Sequence, residues 1–239
     1  GLLFEMTRLD ALERIRREFV ADISHELRTP LASLKASLET LMGGALSDPA
    51  AAPVFLDMVT RNAMRIEVIL DDLTDLSLIE TGAVVLSIEP VHLEALVHDV
   101  MIAMKARAAA RHVTMASTVP RDLLISGDRR RLDQILTNLL DNAIKFNREG
   151  GQVMVSAHAA GARIMLLVED TGPGIPPDAL DRIFNRFFRV DRAHKHDTSG
   201  SGLGLAIVKH LVHLHHGTIL AENREPGGTR FVVELPAAS

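Results

Sequence analysis

Cysteine is missing from this 239-residue chain, and so are tryptophan and tyrosine. Without a thiol there is no disulfide, no zinc–thiolate site and no sulfur nucleophile, a composition that fits a reducing compartment. The only aromatics are eight Phe, so the core must be built mainly from Leu, Ile, Val, Ala and Met. No basic excess is present either. A net charge of −5 lacks the concentrated positive face that nucleic-acid binding requires, and no nucleic-acid partner is expected. No run approaches the roughly 18 apolar residues needed to span a bilayer, and the opening GLLFEM is too short, and lacks the basic leader, for a signal peptide. No membrane contact is expected of this segment. It starts without Met, in mid-pattern, and is expected to be part of a longer protein.

What is present begins with two amphipathic stretches. Apolar residues recur in steps of three and four from Leu9 to Leu41, and again from about Pro53 to Leu76, the spacing of a helical stripe. The Gly/Pro-bearing stretch 43–52 separates them, and Pro53 suits the first position of the second helix. Such a hairpin leaves its stripe half exposed. Either the rest of the chain covers it or a second copy does, and the exposed stripe favours a twofold dimer with a four-helix bundle. Beyond a boundary near residues 80–90 the pattern changes. Short β-prone runs at 84–88, 112–118, 123–126, 152–158, 163–170, 217–223 and 229–235 alternate with helical patterns at 92–109, 128–147 and 203–216. This predicts an α/β sandwich with helices on one sheet face.

Three groups of residues carry chemistry. The first is FVADISHELRTPLASL, residues 19–34. A neutral imidazole such as that of His25 is a competent nucleophile near neutral pH. The adjacent Glu26 can accept the proton that the ring sheds. Thr29 lies one turn on, on the same face, where its hydroxyl can orient water for the reverse reaction. Pro30 removes a helical hydrogen bond just beyond the histidine and predicts a kink there. A lone histidine on an amphipathic helix is usually only a solvated side chain, so His25 gains its weight from the other groups.

The second is NLLDNAIKF, residues 138–146. Asn138 and Asn142 fall one turn apart, opposite an apolar back of Leu139, Leu140, Ala143 and Ile144. A carboxamide oxygen is a hard, uncharged ligand for Mg²⁺, and Lys145 can neutralise phosphate. The third is EDTGPGIP, residues 169–176, in which Asp170 ends a strand at a Gly-Pro-Gly turn. A carboxylate there can accept the exocyclic amino group of adenine, and Gly172 and Gly174 allow close approach. An ordinary strand-end turn would read the same way. Further on, the stretch 184–200 is polar, basic and Gly-terminated, as a lid would be, with Arg186 or Arg189 able to reach phosphate. It leads into SGSGLGLAIVKHL, a glycine-rich entry to a helix, a place where backbone N–H groups bind phosphate. His213 and His216 are three apart but have no acid or thiolate partner in the sequence, so a solvated helix end is preferred to a metal site.

Taken in order, SHELRTPL, NLLDNAIKF, EDTGPGIP, FNRFFRVD and GSGLGLAIV resemble the H, N, G1, F and G2 boxes of bacterial sensor histidine kinases, over nearly the whole chain. The likeness runs most toward the cytoplasmic core of membrane sensors of the phosphate-regulon type. It implies an α + α/β fold: a helical hairpin forming a dimeric four-helix bundle, followed by a GHKL (Bergerat-type) α/β sandwich with a mixed sheet. Residues 1–82 would be the dimerisation and histidine-phosphotransfer hairpin and 83–239 the ATP-binding catalytic domain. The implied substrates and partners are ATP with Mg²⁺, a second copy of the chain and a response-regulator receiver domain; the whole protein would be anchored in the bacterial inner membrane with this segment cytoplasmic. By resemblance His25 is the phosphorylated residue, Glu26 its acid neighbour and Thr29 the phosphatase residue. Asn142 matches the Mg²⁺ ligand, Lys145 the phosphate lysine and Asp170 the adenine aspartate. Gly172, Gly174, Gly200, Gly202 and Gly204 match the glycines around the nucleotide. Phe146 stands where the family often has Tyr, which keeps ring packing on the nucleotide and loses a hydroxyl. Related ATPases place a general-base Glu where this chain has Asn138, which favours a kinase over a hydrolase. The rival expectations are a non-catalytic ATP-binding dimeric scaffold and a free-standing ATPase.

Overall fold

Apolar steps of three and four produce two long helices in the computed structural model, which describes residues 2–190 and 201–238. Helix α1 spans Leu2–Met42, with side chains described from Val20, and continues through Pro30. After a single 3₁₀ turn at Ala45–Ser47, helix α2 spans Ala51–Glu80. It starts two residues before Pro53, the expected first position. The reason is Asp48, whose Oδ1 accepts the N–H groups of Ala50 and Ala51 at 2.9 and 3.3 Å and so supplies the N-terminal cap.

The chain divides into two compact units inside α2, one comprising residues 1–74 with 199–203 and the other the remainder. In the first, Pro30, Ser37, Leu41 and Ile69 are buried along the hairpin. This seam is partly polar: Asn62 Nδ2 donates to Ser33 Oγ at 3.2 Å, and Arg65 pairs with Glu26 at 3.5 Å. Much of the apolar stripe lies elsewhere, with Leu31, Leu38, Leu56 and Leu70 exposed.

The second unit contains strand β1 (Glu89–His92), helix α3 (Leu93–Ala110), strands β2 (Thr114–Ser117) and β3 (Leu124–Gly127), and helix α4 (Arg129–Lys145). Strands β4 (Gln152–Ala160) and β5 (Arg163–Asp170), helix α5 (Gly204–Leu214), and strands β6 (Thr218–Asn223) and β7 (Thr229–Pro236) follow. A five-stranded sheet runs β2-β4-β5-β7-β6. Its β2–β4 pair is parallel and the rest antiparallel, so the sheet is mixed, as expected. Ile164, Leu166 and Val168 on β5 and Phe231, Val233 and Leu235 on β7 are buried at alternate positions beneath α3, α4 and α5, while Met165 and Leu167 point the other way and are half-buried. Strands β1 and β3 form a separate two-stranded ribbon. The expected strand at 84–88 does not form. Val85 is 91% exposed, and β-prone composition without a paired neighbour makes no sheet; pairing starts only at Glu89.

The last turns of α2 belong to this second unit. Leu76 and Ile79 are buried there, and Asp75 accepts from Arg131 Nη1 at 3.1 Å and Gln134 Nε2 at 2.7 Å on the first turns of α4.

Candidate functional site

On α1, His25 is exposed and its neighbour Glu26 is half-buried, facing the seam. Successive residues on a helix lie about 100° apart, so a solvent-facing imidazole can sit beside an inward carboxylate. Thr29 Oγ1 makes a long contact of 3.4 Å to the carbonyl of His25, which keeps its hydroxyl on the same face. These three residues therefore form one local group in the first unit.

In the second unit, α4 is the spine of the other group. Asp128 caps it, accepting the N–H of Arg131 at 3.1 Å, and buried Leu132, Ile135, Leu136, Leu139, Leu140, Ala143 and Ile144 seat it on the sheet. The half-buried Asn138 and Asn142 lie along its other face. Asn142 Nδ2 donates to the carbonyl of Asn138 at 3.0 Å, which commits the amide nitrogen and leaves the carboxamide oxygen as the end suited to a hard cation. This single uncharged oxygen is of a kind that suits Mg²⁺ as one ligand among several. The first residue of α5 meets α4 at Asn138: a Cβ on Gly204 would come within 2.8 Å of Asn138 Oδ1. Lys145 is buried with its ammonium 4.7 Å from the centroid of the Phe146 ring, and that ring is 51% exposed.

The end of β5 closes against the C-terminal end of α4. A Cβ on Gly172 would fall 2.8 Å from the carbonyl oxygen of Phe146, so only glycine lets the turn approach. Asp170 is 6% exposed. Its Oδ1 accepts the N–H of Gly172 at 2.8 Å and that of Thr229 at 3.1 Å. Burial pushes its pKa above the usual carboxylate range, against the pull of these bonds, the Thr229 hydroxyl and the Arg224 charge. Gly174 takes φ +80° and Asn223 brackets the next residue, accepting from Ile175 N–H at 2.8 Å and donating to its carbonyl at 2.6 Å.

Asn138, Asn142, Phe146, Gly172, Asp170 and Gly204 are thus brought together around α4. Arg189 lines a pocket of about 350 Å³ with Pro176, Asp178, Ala179, Arg182 and Phe188, and Arg186 is half-buried in the same stretch. Gly202 has φ +74° and groups with the first unit. Gly200 and residues 191–199 of the expected lid lie outside the described residues. Among the described residues no cluster of three or more His, Cys, Asp or Glu could hold a metal. Sequence reasoning missed Thr229, Asn223, Gly228 and the buried His215, whose Nε2 accepts the N–H of Asp128 at 3.0 Å behind α4. The Gly-Gly pair at 227–228 was the one signal available for any of them.

Two family models match this chain, one on each part. Residues 15–82 match the His Kinase A (phospho-acceptor) domain, and residues 127–239 match the histidine kinase-, DNA gyrase B- and HSP90-like ATPase family. The chain is 35% identical over 228 residues to the signal transduction histidine-protein kinase BaeS of Escherichia coli K12, covering 95% of this chain and 48% of that protein. It is 36% identical to the sensor histidine kinase WalK of Bacillus subtilis 168, covering 99% of this chain and 39% of that one. It therefore spans less than half of these curated relatives. Among solved structures, the mycobacterial sensor histidine kinase MprB is 32% identical with a TM-score of 0.56, covering 63% of this chain and 97% of that one. Histidine kinase ThkA in complex with response regulator protein TrrA gives a TM-score of 0.76 at 26% identity, covering 98% of this chain and 65% of that one. An acceptor-type hairpin and an ATPase-type sandwich, each matched along its own residues, place this chain in the family of sensor histidine kinases.

Proposed function

We propose that the chain is the catalytic core of a two-component sensor histidine kinase. It moves the γ-phosphoryl group of ATP to His25 and then to an aspartate of a response-regulator receiver domain, and it also removes phosphate from that regulator. Residues 1–82 serve as the dimerisation and phosphotransfer hairpin and residues 83–239 as the ATP-binding domain. The observation that carries the reading is Asp170: a buried carboxylate pinned through Oδ1 by two backbone N–H groups, at a turn whose glycines admit a flat base.

In this reading the adenine amino group donates to Asp170, Gly172 and Gly174 admit the base, and the exposed Phe146 ring packs on the nucleotide. Asn138, Lys145, Arg186, Arg189 and Gly204 meet the phosphates. Asn142 would hold Mg²⁺ through its carboxamide oxygen, and the ion would supply positive charge against the phosphates. Phosphoryl transfer is mostly positioning and charge neutralisation. A ring nitrogen of His25 attacks phosphorus. The N–P bond forms as the P–O bond to ADP breaks, the electron pair leaves with ADP, and the proton on the other ring nitrogen passes to Glu26. In the second transfer a receiver carboxylate oxygen attacks, the P–N bond breaks and the imidazole regains a proton. Thr29 orients water when the regulator is dephosphorylated.

The exposed leucines of the hairpin support a homodimer, and the likeness to a kinase solved with its response regulator supports a receiver partner. No described helix is long and apolar enough to cross a membrane. We place this segment on the cytoplasmic side of an inner-membrane protein, with no nucleic-acid partner. Incubation with γ-labelled ATP and Mg²⁺ tests the reading. An acid-labile label is expected on the wild type and none on His25→Ala; a label that survives the substitution, or phosphate release without protein labelling, overturns it.

A further inference from the structure

Arg65 has no role in the site described so far, yet it sits in an expensive place. Its side chain on α2 is 24% exposed, and its Nη2 lies 3.5 Å from Oε2 of Glu26, itself 21% exposed. Its Nε is buried with no hydrogen-bond partner among the described residues. It occupies the seam row Met58, Asn62, Arg65, Ile69, in which Ile69 is wholly buried. Packing alone would favour an apolar residue there, because a half-buried ion pair at 3.5 Å returns little net stability. The charge therefore serves something other than cohesion, and the group it faces is the carboxylate beside His25.

We infer that Arg65 is a positioning residue for histidine phosphorylation, acting through Glu26. The ion pair fixes a flexible carboxylate at one place in the seam, next to the exposed imidazole, so that it can take the ring proton as the N–P bond forms. This rests on the kinase reading above, with Glu26 as proton acceptor.

The test is a double-mutant cycle on the full chain. Arg65→Met keeps the volume of the buried stem and removes the charge; should it not fold, Arg65→Gln carries the same readout. The initial rate of His25 labelling is expected to fall about tenfold, a part of the ~10²–10⁴ that general-base catalysis supplies, with KM for ATP unchanged. Arg65→Lys should restore much of the rate. In a Glu26→Gln background the loss of Arg65 should cost nothing further, whereas a merely structural role would cost the same again. Wild-type labelling by Arg65→Met, or an undiminished second loss in the Glu26→Gln background, overturns the inference and leaves the kinase reading standing. An unlabelled wild type overturns both.

Discussion

The backbone N–H of Thr229 donates to Asp170 Oδ1 at 3.1 Å, tying the start of β7 to the end of β5. The same oxygen takes the N–H of Gly172, so the carboxylate is aimed before any ligand arrives.

Asp170→Asn preserves an oxygen for both N–H groups but replaces an acceptor by a donor where the adenine amino group is proposed to bind. A hydrogen bond to a charged group contributes about 1.5–3 kcal/mol, so the Kd for ATP should rise roughly 10- to 100-fold, measured by calorimetry. Stability should move the other way. An acid whose pKa rises on folding stabilises the fold while protonated; that contribution is complete below its unfolded pKa of about 3.9 and is lost as pH rises through the folded value. Burial raises Asp170 in this sense, so at pH 7 the Asn variant should melt no lower than wild type. A lower melting temperature with unchanged ATP affinity would contradict the assignment.

Two glycines separate function from fold. A Cβ at Gly204 would press on the end of the Asn138 side chain, which can swing aside, and alanine favours a helix start over glycine. Gly204→Ala should keep its melting temperature while weakening ATP binding. Gly228 has φ +106°, and a Cβ there would collide with the carbonyl oxygen of Asp170. Strain and overpacking of this kind each cost about 1–3 kcal/mol. Gly228→Ala should therefore lose several degrees of melting temperature, at about 2–4 °C per kcal/mol for a domain of this size. Equal melting losses in the two variants would refute the distinction.

The contrast between these residues shows what a sequence can disclose. Asp170, Gly172 and the Asn138–Asn142 row were legible because their chemistry is local: a strand ending at a turn, a polar row with an apolar back. Thr229, Asn223 and His215 act on partners 59, 48 and 87 residues away, and nothing in their own neighbourhoods marks them. Helices were read from their period. Residues 84–88 misled because β propensity describes a pleated, half-buried surface, and whether a neighbour exists to pair with is a tertiary matter. Arg65 was invisible for a related reason: on one helix it reads as a solvated cation, and only the hairpin turns it toward Glu26.

His215 is expected to make stability depend on pH. Its Nε2 accepts the N–H of Asp128 and its Nδ1 lies 2.7 Å from the carbonyl of Leu211, so the neutral ring donates from Nδ1 and both nitrogens are used. Burial lowers its pKa, against the Leu211 bond and the Asp128 charge, with His216 adding to the lowering. A base with a depressed folded pKa contributes stability that is present above its unfolded value of about 6.5 and lost as pH falls through the folded one. The melting temperature should drop between pH 7.5 and 5.5. His215→Gln should be less stable at pH 7.5 but show a flatter slope over that range; parallel slopes would remove His215 as the cause.

The hairpin places its apolar surface where a single chain cannot use it. Leu31 and Leu38 are seven residues apart on α1, hence on one face, and are 57% and 40% exposed, while the seam between α1 and α2 holds Glu26, Arg65, Ser33 and Asn62. A partly polar seam inside and leucines outside make the lone hairpin a poor core and a good half of a bundle. Each leucine covered by a second copy contributes about 1.5–3 kcal/mol of burial, and twofold symmetry counts every position twice. The double variant Leu31→Glu/Leu38→Glu should therefore elute as a monomer near 26.1 kDa in light scattering, where the wild type gives twice that mass. Its ATP affinity should be unchanged, because the nucleotide residues lie on α4, β5 and α5. A wild type that is monomeric at tens of micromolar, or a variant that stays dimeric, would rule out this face as the dimer contact.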